Sequence, residues 1–482
     1  MSSKSIQGAR YTSVDDDYFE KRGLRRHAGL LALWGLGIAA VISGDFSGWN
    51  FGLDAAGWGG LFIATVLVII MYYGMIFSIG EMSAALPHTG GAYSFGRSAM
   101  GPWGGFVTGF AETIEYVATT GVTIFFSASY ADAIFSELTG QSLPVWAWWL
   151  ILYVIFLTLN IAGAQISFKF GIIVAIAALA VLALFTILAI SSGKFSIDNL
   201  FDIAPTAGNS AFLPNGVWAI VAAMPFAMWF LLGIEELPLA AEESKDPVRD
   251  IPKAGIWGMG TLVITAMLVL VLNPGVTGSS KIATSGEPLL EGFRAILPNA
   301  DVAALLSAFA LIGFFASIQG IMFAYGRNIY SLSRAGYLPQ VLSLTGSRRT
   351  PYVALLVGAV IGFAMLLWAQ YGGANAGAVV LNIAVWGAVI AYILQMVSYL
   401  LLKRNMSNLK RPYVSPVGSA GAWVGGLLAL LVFIGQLINP AYRQAIIAIA
   451  IVYIVGLIYF GLVAKNRLVM SPEEEAAIKG HK

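Results

Sequence analysis

Val41-Ile-Ser-Gly-Asp-Phe-Ser-Gly-Trp-Asn50 interrupts the first apolar run of the sequence, and Gly233-Ile-Glu-Glu-Leu-Pro238 interrupts the sixth. Irregular backbone at membrane depth is tolerated only where it is buried in protein or lines a cavity. Two interrupted spans set five apart therefore point to an inverted-repeat transporter with its site at the breaks. Both breaks carry acid, Asp45 in the first and Glu235 and Glu236 in the second. The cavity between them is expected to hold a cation.

Composition agrees with a chain that lives in lipid. Of 482 residues 58% are hydrophobic and only 11% charged, and mean hydropathy is +0.79, far too apolar for a soluble globule. The first apolar run follows a polar tail with Asp15-Asp-Asp17 and Lys21-Arg22 and shows no small-residue cleavage site, so it reads as a retained span and not a signal peptide. The absence of cysteine excludes disulfides, thiolate metal sites and a Cys nucleophile. His27, His88 and His481 all fall outside the apolar runs, which excludes an intramembrane His relay or a His-bound metal. No cofactor and no nucleic-acid partner is expected.

Windows of about 20 apolar residues, the length that crosses roughly 30 Å of hydrocarbon, predict twelve spans. They start near residues 30, 58, 103, 144, 170, 217, 255, 302, 352, 378, 420 and 444. An even number puts both termini on one face, and 23 of the 27 Lys and Arg residues fall on that face. Only Lys194, Lys281, Arg294 and Arg443 remain for the other. The positive-inside rule then makes both ends cytoplasmic, in a cell membrane. The expected organisation is an N-terminal tail at 1–27, a first five-span repeat at 28–192, an external loop at 193–216 and an inverted second repeat at 217–404. Two further spans at 405–464 and a C-terminal tail at 465–482 complete it. This is an all-α membrane protein with a 5+5 inverted repeat of the LeuT type, broken in spans 1 and 6. The stretches 273–300 and 371–377 read as external loops.

Three separate motifs carry a family resemblance. They are Gly80-Glu-Met82, Leu86-Pro87, Gly90-Gly-Ala-Tyr93 and Gly101-Pro102 around spans 2 and 3; Ala241-Glu-Glu-Ser-Lys-Asp-Pro247 with Arg249-Asp-Ile-Pro-Lys-Ala254 after span 6; and Arg327, Ser333-Arg334, Gly336, Leu338-Pro339 and Thr350-Pro351 after span 8. Over spans 1–10 the chain resembles the amino acid–polyamine–organocation superfamily of permeases. Ile42-Ser-Gly-Asp-Phe-Ser-Gly-Trp-Asn50 is similar to span 1 of the ethanolamine permease family. Amino-acid permeases of the superfamily usually have a Gly/Ser-rich break followed by Gly-Ile-Phe, whose bare N–H groups receive the substrate carboxylate. Here Asp45 sits inside the break, and a fixed negative charge beside that site would repel a carboxylate.

Span 3 supplies acid independently of the resemblance. Counting about 1.5 Å per residue from Gly101 puts Glu112 roughly 17 Å and Glu115 roughly 21 Å deep, near the middle of the hydrocarbon. Glu112, Glu115, Tyr116 and Thr119 share one helix face, a polar stripe that should look into a cavity. With Asp45, Glu235 and Glu236 this makes five carboxylates near one depth, each costing about 2.5–3.5 kcal/mol there. Any one of them alone could be a protonated helix-packing group; five together call for protons, water or a bound cation. Glu81, at the end of span 2, is expected in an ion pair with Arg327 or Arg97, and the 242–250 run as a solvated loop.

The expected substrate site comprises Ser43, Gly44, Asp45, Phe46 and Ser47 of span 1, Glu112, Glu115 and Tyr116 of span 3, and Trp229, Gly233, Glu235 and Glu236 of span 6. Ser317 and Trp386 are weaker candidates. The Trp229 face, at a position that stacks over substrate in related cationic-substrate exchangers, and Phe46 would cover an ammonium. Tyr116 or Ser43 would meet a hydroxyl. The reading is a permease importing ethanolamine or a close small amino alcohol by alternating access. Its rivals are an amino-acid or polyamine carrier and a transport-inactive sensor. An enzyme would need a nucleophile–base pair or a metal site at depth, and none is present. Some proton-coupled members of the superfamily carry a lysine midway along span 5, but Val174-Ala-Ile-Ala-Ala-Leu-Ala180 has none. A coupling proton on Glu115, a sodium site using Ser317, and facilitated diffusion all stay open.

Overall fold

The computed structural model describes residues 4–15, 17–297, 299–371, 376–438 and 443–479. A hairpin of β1 (Lys4–Ile6) and β2 (Ala9–Thr12) opens the chain. The first helix, α1 (Leu30–Val41), passes into a 3-10 turn at Ile42–Asp45, and further turns lead to α2 (Phe51–Ala85) and α3 (Gly91–Thr139). Glycines set the bends of these long helices. Gly57 (φ 68°) kinks α2 and Gly101 (φ 75°), followed by Pro102, kinks α3, both in conformations that a β-carbon disfavours. Gly140, left-handed at φ 71°, ends α3.

After α4 (Val145–Ala162) and α5 (Ala164–Ser191), the short helix α6 (Ala219–Met228) gives way to turns. Gly233 (φ 114°) then starts a 3-10 stretch at Ile234–Glu243. The helix α7 (Pro247–Thr277) begins with Asp246 accepting from the Arg249 N–H and Pro247 in its first turn, where a missing N–H costs nothing. Two short helices follow, α8 (Ser279–Ile282) and α9 (Pro288–Ile296), so the expected open loop at 273–300 is a small helical lid. The remaining helices are α10 (Ala300–Arg334), α11 (Tyr352–Tyr371), α12 (Ala376–Asn405), α13 (Gly418–Ile438), α14 (Arg443–Leu462) and, after β3 (Leu468–Val469), α15 (Pro472–Lys479). The expected loop at 371–377 lies largely outside the described residues.

Among the described residues, eight helices, α2, α4, α5, α7, α11, α12, α13 and α14, are long and apolar enough to cross a membrane. The outer faces of α5 and α14 show what solvent they meet: Ile173, Ile187, Ile190, Ile451 and Val455 all point outward, each more than half exposed. Such rows are stable only against hydrocarbon. The centre is the reverse. The long α3 packs along α12 and α10, and α1 along α5, α7 and α10. The contact of α3 with α12 is so close that a β-carbon on Gly387 would stand 2.6 Å from the Glu115 nitrogen. Polar atoms on α3 are thereby held away from lipid.

Two expectations fail for the same reason, that segments distant in sequence return to helix ends. Glu81 does not meet Arg327 or Arg97. It pairs with Arg411 (3.1 Å) and Lys403 (3.5 Å), and Tyr399 donates to it at 2.7 Å, because the chain after α12 folds back over the end of α2. Nor is the 242–250 run wholly a solvated loop. Glu243 is fully buried and takes both Nε and Nη2 of Arg327 at 3.0 and 2.9 Å, and Glu242 takes Arg334 at 2.9 and 2.5 Å. Glu242 is half-buried, Glu243 and Ser244 are buried, and full exposure begins at Lys245. Replacing Arg327 with Met is expected to cost about 3–5 kcal/mol, because it strands the buried Glu243 charge. Thermal unfolding of the purified variant should show this, and adding Glu243→Leu should recover most of the loss.

Candidate functional site

Close backbone approach creates the site. A β-carbon on Gly44 would lie 2.1 Å from the Trp229 carbonyl oxygen, and one on Gly48 (φ 96°) 2.6 Å from the Trp229 indole. The turn after α1 and the turn after α6 thus cross at a distance that only glycine allows. Ser317 of α10 ties the crossing down: its hydroxyl donates to the Ala39 carbonyl (2.7 Å) and accepts from the Ser43 N–H (3.0 Å). Sequence reading offered Ser317 as a ligand. The structure uses its hydroxyl to position the turn.

Below the crossing lies the acidic cluster. Glu235 accepts the Gly233 N–H at 3.1 Å, and its carboxyl lies beside that of Glu115. Glu115 accepts from the Tyr392 hydroxyl (3.1 Å), which in turn meets the Tyr72 hydroxyl (3.0 Å). Glu112 accepts from Asn328 (3.0 Å) and Tyr116 (3.3 Å). All are buried to within a few per cent. One oxygen each of Glu115 and Glu235, and both of Glu236, accept no hydrogen bond among the described residues. Two carboxylates this close cannot both stay bare, so a proton or an ammonium between Glu115 and Glu235 would satisfy both.

Asp45 is not part of this cluster. Its carboxylate is buried beside the Thr265 hydroxyl of α7, and neither oxygen is in a hydrogen bond of ordinary geometry among the described residues. The five acids predicted at one depth thus divide into Glu112, Glu115, Glu235 and Glu236 on one side and Asp45 on the other. Helical phase after a break cannot be counted from sequence, which is why the division was invisible there. Phe46 packs against Phe314 (centroids 5.9 Å apart), and its carbonyl accepts from Tyr130 (2.8 Å). Ser47 faces the lid and donates to Gly286 O at 2.9 Å, while Asn50 donates to Ile282 O and Ser285 O at 2.7 and 2.9 Å. Trp386 packs edge-on to Phe433 of α13 (4.7 Å), so its ring is spent on a helix contact. Ser47 and Asn50 thus tie the turn after α1 to Ile282–Gly286, and the Arg327–Glu243 and Arg334–Glu242 pairs tie the stretch after α6 to α10.

Sequence reading missed Tyr392, Tyr72 and Asn328. All three are polar groups inside apolar runs, as was the stripe on α3, but no acid marked them. Among the described residues, no group of three or more His, Cys, Asp or Glu side chains could hold a metal ion.

The family model described as "Amino acid permease" matches residues 31–471. The lysine-specific permease of Lactococcus lactis subsp. cremoris is 24% identical over 491 residues, covering 96% of this chain and 93% of its own. The D-serine/D-alanine/glycine transporter of Escherichia coli K12 is 24% identical over 452 residues, covering 90% and 93%. Among solved structures, a mutant of the Eremococcus coleocola manganese transporter superposes with TM-score 0.59 at 14% identity, over 96% of this chain and 98% of that one. This last likeness is one of fold.

Proposed function

The chain belongs to the amino acid permease family of membrane transporters, and from that premise we propose that it carries ethanolamine, or a close small amino alcohol, across the cell membrane by alternating access. In this reading α1 and α6, with the turns that follow them, are the two interrupted spans of a 5+5 repeat. With α3, α10 and the eight apolar helices they make twelve. The distribution of Lys and Arg puts both termini in the cytoplasm.

The observation that carries the substrate reading is the site's charge inventory. Four buried carboxyls surround the turn after α6. The N–H groups that a substrate carboxylate would use in the turn after α1 are largely taken: Ser43 donates to Ser317, Phe46 and Ser47 to the Ser43 carbonyl, and Gly48 to Asn50. The nearest guanidinium, Arg327, holds Glu243. An ammonium finds partners here and a carboxylate does not. Glu235 and Glu115 receive the ammonium, the Trp229 and Phe46 rings cover it, and Tyr116 or Ser43 meets the hydroxyl. Gly44 and Gly233 shape the turns, and Glu112 and Glu236 set the surrounding field.

A second reading, an amino-acid carrier, is favoured by the substrates for which the relatives are named and by Arg327 Nη1, which makes no hydrogen bond among the described residues and is free to receive a carboxylate. Uptake of radiolabelled ethanolamine into proteoliposomes, with unlabelled competitors, separates the two. Ethanolamine should compete about tenfold better than D-serine, glycine or lysine, given about 1.4 kcal/mol or more against an unpaired carboxylate. Uptake driven by those amino acids and indifferent to ethanolamine would overturn the proposal.

A further inference from the structure

Outside the candidate site, one buried carboxylate gathers four donors. Glu474 of α15 accepts from Tyr11 (2.5 Å), Tyr93 (2.8 Å), Tyr337 (2.9 Å) and the Arg97 Nε (2.6 Å). These donors come from the N-terminal hairpin, from the start of α3 and from the segment after α10. One residue earlier, Glu473 binds Arg334 at 2.5 Å. Both glutamates are fully buried. β3 joins the same assembly, pairing in parallel with β2 through Tyr11 and Leu468. A pair of adjacent acids on an eight-residue helix thus fills a basic and phenolic socket on the termini face.

The position of the socket gives it a consequence. Arg334 holds Glu473 and Glu242 with the same guanidinium, and Glu242 is the next-to-last residue of the 3-10 stretch at Ile234–Glu243. Under the alternating-access reading proposed above, that stretch has to move away from α10 for the site to open toward the termini. We infer that the socket is a binding site for an acidic helical peptide, occupied by the chain's own residues 472–479, and that the docked helix latches the termini-side gate shut. Burial alone would push the Glu473 carboxyl up, but the Arg334 guanidinium outweighs it and holds it below the ordinary range. A depressed value keeps the pair charged above the unfolded value, and the pair is lost only as pH falls through the lower one, so the latch is charged at cytoplasmic pH. Sequence reading saw only a C-terminal tail in this region.

The inference rests on alternating access and not on the identity of the substrate, so it is tested without one. The chain has no cysteine, and Leu239, 1% exposed and packed against Gly91, lies on the gating stretch. In full-length protein carrying Leu239→Cys, adding Glu474→Gln should raise the rate of labelling by N-ethylmaleimide about tenfold, as expected for a population shift toward the open state. A thiol at Ala266→Cys, buried in α7 away from the gate, should stay unlabelled. In a chain truncated after Met470, a synthetic peptide of residues 471–482 should restore slow labelling at position 239. Equal labelling with and without Glu474→Gln overturns the inference. So does faster labelling at both positions, since the helix would then hold the bundle together and not its gate.

Discussion

Glu235→Gln is expected to lower ethanolamine affinity about 100-fold or more while leaving the fold intact. The side chain sits where the backbone after Gly233 is irregular, and it faces Glu115. Gln fills the same volume, and its amide oxygen still accepts the Gly233 N–H. What disappears is the charge. A charged partner of a desolvated ammonium contributes about 2–5 kcal/mol when truncated, which corresponds to roughly two orders of magnitude in affinity. Stability should move the other way or not at all, because the change relieves a carboxylate–carboxylate contact in a buried site. Calorimetric titration of ethanolamine into the variant, with thermal unfolding alongside, reads both quantities. A variant that binds as the parent does would remove Glu235 from the site. A variant that loses binding and unfolds early would make Glu235 a structural residue.

Gly44→Ala should abolish transport through geometry alone. The added β-carbon would stand 2.1 Å from the Trp229 carbonyl oxygen and 2.9 Å from its carbon. Both are backbone atoms and cannot rotate aside. Accommodating the methyl group means separating the two turns, at about 1–3 kcal/mol for an overpacked site and more where backbone must shift. The separation also breaks the alignment of Ser43 with Ser317. Gly260→Ala provides the contrast, since nothing lies within 4 Å of its β-carbon position and alanine gains up to about 1 kcal/mol in a helix interior. Uptake in proteoliposomes should therefore vanish for position 44 and persist for position 260, with unfolding temperatures ordered the same way.

The parts of the fold legible in sequence are those encoded locally. Apolar runs of spanning length, the Gly-rich stretch at 43–48, the glycine before Glu235 and the polar face of α3 each report their own environment. Contacts made by returning chain are encoded nowhere near the residues they satisfy. Glu81 carries no mark of Arg411, Glu243 none of Arg327, and Glu474 none of a hairpin more than four hundred residues away. Asp45 shows a subtler limit. One residue of drift in a 3-10 turn rotates a side chain by about 20° more than in an α-helix, so membership of the turn was readable and the direction of its carboxylate was not. Ser317 was found for its hydroxyl, but its two backbone partners emerge only once α1 and α10 are packed together.

A site that takes an amine without a carboxylate should tell ethanolamine from amino acids in binding alone. Isothermal titration of the purified protein with ethanolamine, and separately with D-serine, glycine and lysine at the same pH, tests it directly. Saturable binding of ethanolamine, with each amino acid binding about tenfold more weakly or not at all, is the predicted result. Saturable binding of any of those amino acids, with none of ethanolamine, would contradict it.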